Sequence, residues 1–499
     1  PRRVPETELV DCGRSLAARE SVLRRYLVVS DLHLCDVEDH PDGWKAYKSA
    51  RHVFDDDLGR LVADALDGLP DGAEFTLVLN GDILDFDLVD AVPADPPWPV
   101  HPAERRQGLH AAAAKSAWKC RRILDHHPAF VATLSRVLCR GHQVVYVLGN
   151  HDREFHFAEV RQVLVEALTD AVRAGGGTCD PRSIRFEPWF FLRAGDLYAE
   201  HGNQYDYYSS FRWLLQPLVQ VGGEARLALP MGNLSNRYLL TRMGFFNPHA
   251  TDFILNVFEY LAHWLRHYAF TRRSLVWTWL WGSLVVMQRL LRQKNAQHRV
   301  PEEYESCLDG QAGAHGLSRE VVTRLAGLQR PPITGRFYRI VREFWIDRLA
   351  IGVLMVGGTI ALALVSVPLW IKLVVPLAVF PLVFFIYERA VQGEDVFTVE
   401  RQMPRFAARI ADVVPVRLVT MGHTHRPELV PLARGVTFAN TGTWASVARA
   451  GGNGEPPGFR NYLRADFDGD GEPCVTLGSF GPGPRREGRD PAEPGMVPR

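Results

Sequence analysis

Apolar positions along the chain gather in short β-branched runs that each stop abruptly at Gly, Asp, Asn or His. Residues 26–30 run into Asp31-Leu32-His33, and residues 75–79 into Asn80-Gly81-Asp82. Residues 143–148 run into Gly149-Asn150-His151-Asp152, and residues 416–421 into Gly422-His423-Thr424-His425-Arg426-Pro427. A further run and turn at 437–442 closes the series. Runs of this length bounded by such residues read as buried strands. Between the early ones, helical patterns cover about 50–67 and about 104–140. Strand alternating with helix predicts an α/β layered core, with ligand-binding groups collected at the carboxyl ends of its strands.

Residues 204–400 break the pattern and read as an insertion between a first core part, 25–203, and a second, 401–480. Residues 349–387 carry one charge, Lys372, and Pro368 divides them into pieces of 19 residues each. Each piece spans about 28 Å as a helix, close to the hydrocarbon thickness of a bilayer. Asp347 and Arg348 flank one end, Glu388 and Arg389 the other. The expectation is a membrane hairpin; the alternative is a helical hairpin buried in a large soluble core.

A second apolar patch holds Trp277, Trp279, Trp281 and Leu284 through Met287, preceded by Trp264, Tyr268 and Phe270. Residues 260–301 contain no Asp or Glu, but do contain Arg266, Arg272, Arg273, Arg289, Arg292, Lys294 and Arg299. This reads as an interfacial surface facing anionic lipid, or as a helix packed on the core with a solvated basic edge. If the early and late clusters form one site, the insertion crosses the membrane an even number of times, which the hairpin alone satisfies. The positive excess before the hairpin predicts a catalytic body on the cytoplasmic side of the inner membrane.

Composition narrows the classes. The 57 basic and 57 acidic residues cancel and 46% of positions are hydrophobic, which excludes a disordered charged tail protein. Seven scattered cysteines without a CxxC pair exclude a disulfide scaffold and suggest a reducing compartment. Charges in the first residues predict no signal peptide, and the Pro- and Gly-rich residues 481–499 a disordered tail.

The chemistry-bearing inventory is Asp31, His33, Asp82, Asn150, His201, His423 and His425. Imidazole with carboxylate oxygen suits manganese, iron or zinc rather than calcium or magnesium. One carboxylate between two ions can bridge them and leave room for a shared water. Taken singly, Asp31 or Asp82 could cap a helix, His201 could be a core histidine and Asn150 could hold a turn.

As a set, Asp31-Leu32-His33, Gly81-Asp82-Ile83-Leu84-Asp85, Gly149-Asn150-His151-Asp152, His201-Gly202 and Gly422-His423-Thr424-His425 resemble the calcineurin-like metallophosphoesterases. The resemblance covers about 25–203 and 415–445 and implies a β-sandwich of two mixed sheets flanked by helices, here with a large helical membrane-associated insertion. It implies that Asp31, His33 and His425 hold a first metal, that Asn150, His201 and His423 hold a second, and that Asp82 bridges them. The ions would be two divalent cations, manganese before iron or zinc. His151 would stabilise the transition state or protonate the leaving oxygen, and Asp85 and Asp152 would each orient an imidazole.

Phe86 stands where the Ser/Thr protein phosphatases have arginine, so the motifs are most similar to the bacterial UDP-2,3-diacylglucosamine pyrophosphatases. His151 and the insertion depart from that branch. The insertion points to a phosphorylated or nucleotide-linked lipid as substrate, with membrane lipid as partner. Alternatives are an anchored hydrolase of soluble nucleotides or nucleic acid, and a non-catalytic metal-stabilised scaffold. Nucleic acid is disfavoured because the basic cluster lies in the insertion rather than near the catalytic loops. The exposed hairpin either sits in lipid or forms a homodimer. Arg426 could pair with a substrate phosphate or form a salt bridge beside the site. The helix bearing His110, Lys115, Lys119, Arg121, Arg122, His126 and His127 could line the cleft mouth or be a solvated face.

Overall fold

The computed structural model describes residues 22–40, 44–50, 53–178, 180–244, 275–297, 301–391, 396–445, 460–469 and 472–480, together with His249, Leu265, Ala269 and Thr271. Trp264, Arg266, Tyr268, Phe270, Arg272, Arg273, Arg299 and the expected tail 481–499 lie outside the described residues.

Two mixed sheets form the core. The first contains β1 (Arg24–Val29), β2 (Glu74–Asn80), β3 (Gln143–Val147) and β4 (Ile184–Glu187), all parallel. β12 (Asn461–Phe467) adds antiparallel to β1, and β13 (Cys474–Ser479) to β12. The second runs in the order β10 (Glu428–Pro431), β11 (Thr437–Asn440), β9 (Leu418–Met421), β6 (Leu197–Glu200), β5 (Phe190–Arg193).

Strand alternation explains the layering. Tyr26, Val28, Val78, Val145, Leu463 and Ala465 of the first sheet pack with Phe191, Leu197, Ala199, Leu418 and Ala439 of the second. Their neighbours Leu27, Val29, Leu77 and Tyr146 point the other way, into a cluster with α1 (Asp55–Asp67), α4 (Pro128–Cys139) and α5 (Ala158–Ala174). Tyr198, Val419, Met421 and Phe438 on the far face of the second sheet meet Met403, Phe406 and Ile410 of the helix Val396–Ala411. The central strands β1, β2, β3, β6 and β9 are covered on both faces and are apolar nearly throughout, whereas the edge strand β10 and the outer pair β12 and β13 alternate with exposed positions.

The expected helix over 104–140 is three: α2 (Pro102–Gln107), α3 (Ala113–His126) and α4. Gly108 at φ 84° breaks the first junction. Pro128 breaks the second, because its ring forces His127 out of helical geometry (φ −127°, ψ 56°). The expected helix over 50–67 starts only at Asp55.

The insertion is not wholly helical. A ribbon of β7 (Leu218–Val221) and β8 (Glu224–Leu227) docks on the core through the Leu227 N–H donating to the Ala111 carbonyl at 2.9 Å. The helix Leu275–Gln297 has two faces: Val285, Val286 and Leu290 are buried, whereas Trp277, Trp281, Leu284 and Leu291 are exposed. It therefore packs on the core and presents an aromatic stripe outward.

Two further helices, Ile346–Leu364 and Leu369–Ala390, are long and apolar enough to cross a membrane. Their apolar spans are not buried in the protein, and Leu364 is 82% exposed. Their bases are tied together: Arg348 Nε lies 2.6 Å from Glu388 Oε1, and the Tyr387 hydroxyl donates to Asp347. Both ends of the hairpin thus return to the same side.

Candidate metal centre

Every predicted ligand sits just beyond the carboxyl end of a strand. Because β1, β2 and β3 are mutually parallel, as are β6 and β9, those ends converge. Main-chain bonds zip the loops: Asp31 N–H to the Gly81 carbonyl at 3.0 Å, His33 N–H to the Asp82 carbonyl at 3.0 Å, and Gly422 N–H to the His201 carbonyl at 3.0 Å. Asp31, His33, Asp82, His423 and His425 all have positive φ, between 51° and 68°. Each non-glycine residue held there costs about 1–3 kcal/mol, a strain that surrounding structure must impose and that concentrates at functional sites.

The structure brings the two distant stretches together. Asp31, His33 and His425 form one compact group, with His425 Nε2 3.1 Å from Asp31 Oδ1 and 3.2 Å from His33 Nε2. Asp82, His201 and His423 form another, with His201 Nε2 2.9 Å from Asp82 Oδ2. The buried Asn150 Oδ1 has no hydrogen-bond partner among the described residues, as a ligand atom awaiting a cation would be. Tautomers are set from behind. His33 Nδ1 donates to Asp85 at 3.1 Å, His201 Nδ1 to the Asn80 carbonyl at 3.0 Å and His425 Nδ1 to the His249 carbonyl at 2.7 Å. Each Nε2 therefore keeps its lone pair for a cation. These buried Asp and His groups can hold metal.

Charge follows the same logic. Burial pushes the Asp82 carboxyl up, but the neighbouring His201 and His151 outweigh it and hold it well below the usual range. Burial lowers the His33 imidazole, and His249 beside it adds to the effect, leaving it at about 3 and neutral. Burial likewise opposes charge on His201, but Asp82 raises it to about 9, and a cation taking Nε2 would displace that proton.

Three motif glycines are explained by contact. A Cβ on Gly149 would stand 2.2 Å from Asp82 Oδ1, on Gly422 2.4 Å from Asp31 Oδ2, and on Gly81 2.4 Å from His201 Nδ1. Gly149→Ala is expected to push Asp82 aside and raise the manganese concentration for half-occupancy at least about tenfold. A metal titration followed by calorimetry, with circular dichroism to show the fold retained, checks it.

His151 donates its N–H to Asp82 Oδ1 at 2.7 Å, and its Nδ1 lies 3.1 Å from Asp87 Oδ2. Burial opposes protonation of its ring, but Asp85 and Asp82 together raise it well above the ordinary value. Asp85 contacts the imidazoles of His33 and His249, at 3.1 and 2.7 Å. Among the described residues, Asp152 is hydrogen-bonded to no imidazole. It accepts from the Gly149 and Ile83 N–H groups at 2.6 and 2.9 Å and from Tyr146 at 2.9 Å, so it shapes the loops. Burial, with the charge of Asp82 added, raises its carboxyl to about 7. Arg426 is exposed and lies 3.6 Å from the Glu400 carboxylate, an ion pair beside the site. The basic residues of α3 do not line the cleft. Lys115 pairs with Glu104 at 2.8 Å, Lys119 donates to the Phe86 carbonyl at 2.8 Å and Arg122 pairs with Asp36 at 2.8 Å, while His127, just past the helix, pairs with Asp55 at 2.8 Å.

Among the described residues, five further groups outside the motifs join the site. Asp206 accepts from His423 Nε2 at 3.1 Å, and Asp87 faces His151. Asn233 donates to the Asn150 carbonyl at 2.9 Å and to Asp87 at 2.6 Å, while the Asn236 amide lies 3.3 Å from His151 Nε2. His249 is the fifth. Four of the five come from the insertion, where no spacing marks them. A cleft of about 930 Å³ starts at Asp82, Asn150, His151, His423 and His425. It continues between Leu239, Met243, Val276, Trp279 and Phe344 to Trp345, the residue preceding the first hairpin helix. No family model matches the chain, and no curated protein matches it.

Proposed function

We propose that this chain is a dinuclear-metal phosphohydrolase acting at the membrane on a phosphorylated or nucleotide-linked lipid. The observation that carries the reading is the cleft, lined at one part by Asp and His groups and elsewhere mostly by apolar side chains, with Ser235 and Glu343 among them, up to Trp345 at the hairpin's root. Such a slot suits a headgroup at one end and acyl chains at the other. Asp31, His33 and His425 would hold one ion and Asn150, His201 and His423 the other, with Asp82 between them. Nitrogen and carboxylate donors suit manganese, iron or zinc. Bound there, the ions would supply an acidified water for attack on phosphorus and would screen the phosphate charge.

The chain's own groups supply the rest. His151 is held by Asp87 and Asp85 through Nδ1, which leaves Nε2 on the cleft side. Its carboxylate neighbours Asp85 and Asp82 outweigh burial and raise the ring well above its ordinary value, which favours the form that can give a proton to the departing oxygen. Leu239, Met243 and Trp279 line the cleft and would give it an apolar wall. The excess of Arg and Lys before the hairpin favours the cytoplasmic face.

A hydrolysis screen with manganese tests the reading, comparing detergent-dispersed phospholipids and nucleotide-linked lipids with soluble diesters. Lipid substrates are expected to turn over fastest, and His151→Ala to slow that turnover about 10²–10⁴-fold while both ions stay bound. Preference for soluble diesters would remove the lipid assignment. Metal binding without hydrolysis of any ester would leave a scaffold.

A further inference from the structure

We infer that His249, carried by the insertion, is a positioning residue that clamps the first metal site from behind. The inference rests on the proposed metal centre and concerns how that centre is held. Three contacts converge on this one residue. Its ring stacks on the His33 ring, with centroids 3.5 Å apart and planes 11° from parallel. Its Nε2 lies 2.7 Å from Asp85 Oδ2, the carboxylate that also accepts from His33 Nδ1. Its main-chain carbonyl accepts from His425 Nδ1 at 2.7 Å. His249 thus fixes both histidines of the Asp31, His33 and His425 group, one by stacking and a shared carboxylate, the other through the backbone.

The physical consequence is specific. A ligating imidazole is useful only with its ring plane fixed and its far nitrogen held as a donor. His33 and His425 sit in left-handed backbone, at φ 51° and 59°, and Asp85 of the second motif holds His33 only at Nδ1. His249 is buried and supplies further restraint. Since it belongs to the insertion, the first site is complete only when the insertion is docked on the core. Proper seating of the membrane-associated segment then becomes a condition for loading that ion.

Full-length protein in detergent, as wild type, His249→Ala and His249→Gln, is titrated with manganese by calorimetry and followed by electron paramagnetic resonance. The apo proteins are expected to melt within a few degrees of one another. His249→Ala should weaken binding of one of the two ions about 10–100-fold and lose the spin-coupled pair signal at limiting metal. His249→Gln keeps a donor toward Asp85 and should recover part of the affinity; if the alanine variant does not fold, the glutamine variant decides alone. Two ions bound with wild-type affinity by the folded variants would overturn the inference. The hydrolysis screen is separate: wild type that binds two ions and cleaves no ester refutes the functional reading, yet still lets the titration decide the role of His249.

Discussion

Replacing Asp82 by asparagine is expected to reduce metal-dependent turnover to background while leaving the fold intact. Asparagine matches aspartate in volume and tolerates the left-handed conformation that Asp82 adopts, at φ 54°. It can still accept the His151 N–H, which reaches Asp82 Oδ1 at 2.7 Å. What it cannot do is supply charge. Asp82 and Asp31 are the only carboxylates among the seven proposed ligands, so the substitution halves the negative charge available to two dications. It also removes the largest influence that raises His201. Manganese should raise the wild-type melting temperature and raise that of the variant far less, because stabilisation by a ligand follows its occupancy. Thermal melts with and without manganese, beside turnover of the preferred ester, check both halves. Normal turnover in Asp82→Asn would dismantle the site assignment.

The layered core and the strand-end clusters were readable because burial on both faces makes a strand apolar throughout. Such a run followed by Gly-Asp or Gly-Asn-His marks the carboxyl end of a buried strand. Gly149 and Gly422 show why the motifs keep glycine: each carries an absent Cβ that would overlap a ligand carboxylate. Residues 104–140 misled because their apolar spacing continues across Gly108 and Pro128, and the two breakers sit at positions that the helical faces do not need. The basic residues of α3 misled differently. Their partners, Glu104 and Asp36, lie elsewhere in sequence, and local charge cannot reveal a buried pair. Asp206, Asn233, Asn236 and His249 were illegible for a related reason. Their roles arise from the insertion folding back onto the core, which no periodicity encodes.

Removing residues 349–387 and joining the hairpin's base with a short polar linker is expected to convert the protein from one needing detergent to one released by high salt. The two hairpin helices have 19 and 22 residues, about 28 and 33 Å of helix, enough for the hydrocarbon layer. Lys372 donates to the Ala363 carbonyl at 2.9 Å, at the tip between the helices, where a lysine can reach the far interface. Taking that much apolar surface into water would cost far more than the ionic contacts of a peripheral protein, so salt alone should not extract the wild type. In the deletion variant the exposed stripe of Trp277, Trp281, Leu284 and Leu291 remains, with Arg292 exposed beside it. A stripe of this kind gives interfacial binding that salt weakens. Membrane fractions washed in buffer, high salt, carbonate and detergent distinguish the two states. Release of the wild type by salt without detergent would show that the hairpin does not span, and a self-association measurement would then test whether a second copy covers it.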